Sequence, residues 1–150
     1  MYHINIQYAV AQHLAPTASR LKEWAKAALS DQCQAAELTI RIVDINEITT
    51  LNATYRHKNK ATNVLSFPFE APEGIEMGEG YLGDLVICAE IVNEEANQQM
   101  KHKDAHWAHM VVHGVFHLLG YDHEKDAEAE HMETLEIAVL KQLGFVNPYE

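Results

Sequence analysis

Apolar and polar residues alternate along Ile4, Ile6, Tyr8 and Val10, the period-two pattern of a half-buried strand over residues 2–10. Pro16 then opens a stretch in which Leu21, Trp24, Ala25 and Ala28 recur near helical spacing, ending before Asp31. Alternation returns from Leu38 to Asp44, and Asp44 has the chemistry of an N-cap for a helix running through Ile45, Ile48, Leu51 and Tyr55. Val64 to Phe69 has strand composition, but Pro68 cannot donate to a ladder, which predicts a sheet edge. Residues 70–80 carry four Glu and few apolar anchors and are expected to form an exposed loop. Tyr81 to Ala89 contains the apolar run Leu85–Ala89, expected of a central strand. Helical patterns follow over about 90–100, 104–119 and 126–143.

Strands and helices alternate at first, then helices accumulate. The expected architecture is α+β in one domain over residues 1–150: a mixed, mostly parallel sheet of about four strands with about five helices. A chain of 150 residues and 17.0 kDa with 47% hydrophobic residues supports one core and excludes disordered or fibrous classes. No apolar run exceeds five residues, against roughly 20 for a membrane span. The N-terminus lacks the basic and apolar regions of a signal peptide, and two cysteines, Cys33 and Cys88, build no disulfide framework. A cytoplasmic location without membrane contact is expected.

The net charge of −11 argues against broad electrostatic adhesion to nucleic acid or anionic membrane. Three of the eleven basic residues nevertheless fall within Tyr55–Lys60, a small cationic site on an acidic body.

Histidine changes the picture most. Six of ten lie between 102 and 123, where a uniform scatter would place about 1.5. On a helix at about 100° per residue, His106, His109, His113 and His117 share an arc of roughly 80°. Most of the remaining helix is apolar, so an imidazole stripe runs along a core helix. His113 and His117 stand one turn apart, Gly120 stops the helix, and His123 returns toward the same face. Three neutral imidazoles leave one position open for water, the arrangement of a catalytic zinc site holding one ion. The competing reading makes these histidines hydrogen-bonded core or surface residues; the glycine break and the third histidine weigh against it. His106 and His109 exceed the ligand number and are read as packing or as support for the ligands, and His102 as a solvated loop residue. Asp122 reads either as a hydrogen-bond partner of a ligand or as the cap of the turn.

The spacing His-x₃-His-x₂-Gly-x₂-His is also that of the metzincin proteases, which carry Glu after the first His as the base acting on metal-bound water. Here that position is Gly114, so a peptidase of this type lacks its base. Residues 113–123, His-Gly-Val-Phe-His-Leu-Leu-Gly-Tyr-Asp-His, resemble throughout the signature of the YbeY family of bacterial metal-dependent endoribonucleases. Tyr55-Arg-His-Lys-Asn-Lys-Ala-Thr-Asn-Val-Leu-Ser-Phe-Pro68 resembles a second family block, departing at Asn63, where the family carries Asp, and at Ala61, where it often carries Pro. No carboxylate role is carried over to position 63. Gly83-Asp-Leu-Val-Ile-Cys88 is also similar.

The resemblance implies His113, His117 and His123 as zinc ligands, with His113 and Arg56 at the catalytic centre and Arg56 facing the metal cleft. It implies hydrolysis of single-stranded ribosomal RNA, in maturation of the 16S rRNA 3′ end and in ribosome quality control, with the ribosome or its proteins as partners and no DNA. A non-enzymatic, metal-stabilised ribosome-assembly factor and a zinc hydrolase of another substrate are the alternatives.

Overall fold

The computed structural model describes residues 1–69 and 80–150. Four strands, β1 (Tyr2–Tyr8), β2 (Ala36–Val43), β3 (Val64–Pro68) and β4 (Tyr81–Cys88), form a sheet in the order β1-β2-β4-β3. β1, β2 and β4 run parallel, and β3 pairs antiparallel to β4 at the edge, where a proline costs little. Five α-helices accompany them: α1 (Ala18–Leu29), α2 (Ile45–Arg56), α3 (Ala89–Gln98), α4 (Lys103–Leu118) and α5 (Asp126–Gln142). This is the mixed α+β arrangement the hydrophobic pattern predicts. The loop expected at 70–80 lies, apart from Gly80, outside the described residues.

Two local expectations shift and one holds. The first strand ends at Tyr8 and gives way to a short 3₁₀ turn, Gln12–Leu14. Thr17, not Pro16, begins α1: its side chain accepts from the Arg20 N–H at 3.3 Å, a bond proline has no hydroxyl to make. Asp44 caps α2 as expected, accepting from the Glu47 N–H at 2.8 Å.

Alternation along β4 divides the core. Leu85 and Ile87 join Leu38, Ile40 and Ile42 in the main core beneath α1 and α4. Val86 and Cys88 face the other way and pack with Val43, Ile48 and Leu65 under α2. α4 is the central element, and Trp107, Val111, Val112, Val115 and Phe116 along it are almost wholly buried. It lies so close to β4 that a Cβ at Gly114 would meet Leu85 Cδ2 at 2.7 Å. Ser66 Oγ, on β3, donates to the Gly114 carbonyl at 3.3 Å, tying the edge strand to the same helix.

A three-histidine candidate metal centre beside a basic cleft

His113 and His117 project from the last two turns of α4 with Nε2 atoms 3.1 Å apart. The helix ends at Leu118, and Gly120 takes a φ of 103°, a left-handed conformation that glycine adopts without a Cβ clash. The Tyr121 N–H closes the turn onto the Phe116 carbonyl at 3.0 Å. Asp122 Oδ1 accepts from the His123 N–H at 2.7 Å and lies 3.9 Å from Nδ1 of the His123 ring. The His123 ring arrives 4.9 Å from that of His117 and 5.5 Å from that of His113. One ligand atom from each ring lies within 4.8 Å of the others.

This donor set fits a four-coordinate ion. Nitrogens bound to zinc at about 2.0–2.1 Å stand about 3.3 Å apart in a tetrahedron, close to the His113–His117 spacing. Burial, and then the neighbouring His113 and His123 rings, lower the pKa of His117 and favour the neutral, ligating form.

The other face of His113 explains the tautomer. Its Nδ1 lies 2.6 Å from Oε2 of Glu136, on α5, and His109 Nε2 lies 3.1 Å from Oε1 of the same carboxylate. The Tyr149 hydroxyl also donates to Oε1. Burial would raise the Glu136 carboxyl, but the hydrogen bonds from His109 and His113 outweigh it and lower the pKa to about 2. An ionised carboxylate only accepts, so both rings donate to it. His113 is thereby protonated at Nδ1, and its bare Nε2 faces His117. A carboxylate behind a histidine ligand in this way fixes ring orientation and raises ligand basicity.

His109, His113 and Glu136 themselves converge closely enough to hold an ion, a second grouping sharing His113. Their facing atoms are already joined by hydrogen bonds. Glu136 had no place among the residues singled out in the sequence, yet a signal was present. Met132, Glu136, Val139 and Leu140 follow i, i+4, i+7, i+8 spacing, which puts the carboxylate on the buried face of α5. His106 takes a different partner, Glu95 on α3, at 2.9 Å. His102 is the exposed N-cap residue of α4.

Arg56, at the end of α2, lines one cavity of about 790 Å³ together with His113, His117 and His123. Its Nη2 donates to the Ser66 carbonyl and its guanidinium stacks 5.3 Å from the Phe67 ring centroid. His57 caps α2 in the left-handed region, at a φ of 58°, and sends the chain back along the cavity with Lys58 and Lys60 on its wall. Asn52, only 3% exposed, holds this segment by donating from Nδ2 to the Lys60 carbonyl at 2.9 Å. At the departing position, the Asn63 amide donates to Glu95 and its oxygen accepts from the Val64 N–H. It fastens the start of β3, work an acceptor-only carboxylate would not do toward Glu95. Cys88 is buried among apolar side chains, remote in sequence and packing from the histidines.

The family described as "Endoribonuclease YbeY" matches residues 5–144. The "Endoribonuclease YbeY" of Nitrosococcus oceani is 51% identical over 147 residues, covering 98% of this chain and 96% of that protein. The solution structure of a protein from Thermotoga maritima superposes with a TM-score of 0.60 at 23% identity, covering 100% of this chain and 99% of that one, a likeness of fold. By fold, motif and near-complete coverage, this chain belongs to the YbeY endoribonuclease family.

Proposed function

We infer that this chain is a zinc-dependent endoribonuclease that hydrolyses phosphodiester bonds of single-stranded RNA, working as one domain over residues 1–150. The observation that carries the reading is the meeting of three convergent imidazoles with one guanidinium in a single cleft. His113, His117 and His123 would hold the ion. When bound, zinc supplies Lewis acidity and a water acidic enough to act as nucleophile near neutral pH.

The chain's own residues supply the rest. Arg56 is anchored on Ser66 and Phe67, so its remaining N–H groups are free to fork onto phosphate oxygens and to stabilise charge developing on phosphorus. Lys58 and Lys60 extend the positive wall along the backbone of a bound strand. The small cationic footprint suits a single strand threaded through a cleft better than a broad duplex-binding face. The family resemblance supplies the setting: 16S rRNA 3′-end maturation and ribosome quality control in the cytoplasm, with the ribosome or its proteins as partners and DNA not a substrate.

The test is cleavage of a labelled single-stranded RNA by metal-stripped and zinc-restored protein. Cleavage that disappears on stripping and returns with zinc supports the reading. Equal cleavage by both preparations, or none by either, overturns it.

A further inference from the structure

The Glu136 side chain is fully buried, so no water solvates its charge and every donor around it matters. Two of its donors, His109 and His113, are carried by α4. The third, the Tyr149 hydroxyl, comes from the segment that follows α5. Tyr149 stands edge-on to His109, ring centroids 5.2 Å apart at 82°. Lys101 Nζ ties the Tyr149 segment to the connection just before α4 by donating to the Pro148 carbonyl at 2.9 Å, and within the segment the Tyr149 N–H donates to Asn147 Oδ1 at 2.8 Å.

The two carboxylate oxygens divide their work. Oε1 receives His109 and Tyr149, while Oε2 is engaged by His113. We propose that Tyr149 is a positioning residue for the metal ligand His113, acting through Glu136 and touching neither metal nor substrate. By satisfying Oε1, the phenol holds the carboxylate in the rotamer that presents Oε2 to the His113 Nδ1–H. That bond keeps Nε2 of the same ring bare and turned toward His117 and His123. Without the hydroxyl, the buried carboxylate lacks one donor, and rotation toward His109 relaxes its hold on His113. The C-terminal segment thus helps to build the metal centre. The inference rests on the metal reading above.

Tyr149→Phe deletes the hydroxyl and keeps the ring against His109. Zinc affinity, measured by competition with a chromophoric chelator, is expected to fall about tenfold, the lower end of the range for losing such an outer hydrogen bond. In the metal-free protein, ring ¹⁵N shifts of His113 should move from the Nδ1–H tautomer toward a mixture, a change that a loss of stability alone does not produce. Glu136→Gln should lose more zinc affinity in the same direction. A Tyr149→Phe protein that matches a zinc-binding wild type in affinity and His113 tautomer overturns this inference alone. A wild type that takes up no zinc overturns the metal reading and this inference together.

Discussion

His113 uses both ring nitrogens, and its loss has two separable effects. His113→Ala and His117→Ala should each abolish stoichiometric zinc, since two imidazoles rarely hold the ion without another ligand. Only His113→Ala also strips a donor from the buried Glu136 carboxylate. The metal-free His113→Ala protein should therefore be less stable than metal-free His117→Ala by about 1–3 kcal/mol, read from urea unfolding. Equal stabilities would mean that Glu136 finds another donor. Arg56 poses the opposite case, an exposed side chain with little part in folding. Arg56→Ala should leave zinc content and melting midpoint nearly unchanged while cleavage falls by on the order of 10²–10³-fold. Arg56→Lys should restore only part, because an ammonium cannot reproduce the planar fork. Full cleavage by a zinc-loaded Arg56→Ala protein would return this residue to the surface.

At the level of elements, the cleft depends on how α2 ends. Asn52 joins α2 to the Lys60 carbonyl across the reversal that His57 begins. Asn52→Ala leaves that carbonyl without its donor and should cost about 1–2 kcal/mol. RNA binding should weaken and its salt dependence flatten as Lys58 and Lys60 lose register, measured by fluorescence anisotropy across a salt series. An unchanged salt slope would separate Asn52 from the cleft. This division marks what a sequence makes legible. The strands announce themselves by alternation, and the histidine stripe of α4 by an angle on a wheel, because both are patterns within one element. The bonds of Asn52 to Lys60 and of Ser66 to Gly114 join different segments and leave no periodic trace. Glu136 is intermediate. Its spacing with Met132 and Val139 marks it as buried, but α5 carries four other acids, and only the fold shows which one meets a histidine. Tyr149 has no such signal, since its partners lie 13 and 40 residues away.

The whole molecule carries a buried imidazole remote from the ligands, and its response to pH follows. Burial lowers the pKa of His106 below 6.5, against the opposing hydrogen bond that its ring donates to Glu95; Lys101 and His109 act in the lowering sense. The unfolded chain thus takes up this proton at a higher pH than the folded one. Stability associated with a neutral His106 is fully present above about pH 6.5 and is lost as pH falls below it. In metal-free protein, the stability advantage of wild type over His106→Gln should shrink as pH is lowered from 8 through 6.5 toward 5. An advantage independent of pH would show that His106 titrates normally. Zinc release on acidification is a separate event, in which protons compete for the ligand nitrogens.

The closeness of α4 to β4 reaches beyond packing. At the residue after its first histidine, a metzincin displays the carboxylate that receives the proton of the attacking water. Here the corresponding direction points into Leu85, so that seat belongs to the interior of the sheet and no side chain can enter it from the cleft. Gly114→Ala should already cost about 1–3 kcal/mol by overpacking, and Gly114→Glu should yield a poorly folded protein instead of a peptidase. One missing methyl group therefore keeps two chemistries apart on a shared ligand spacing. A fold that seats its histidine helix directly on the sheet leaves that helix no room for a carboxylate beside the first histidine, and any further polar group in the cleft comes from the strand and loop across it.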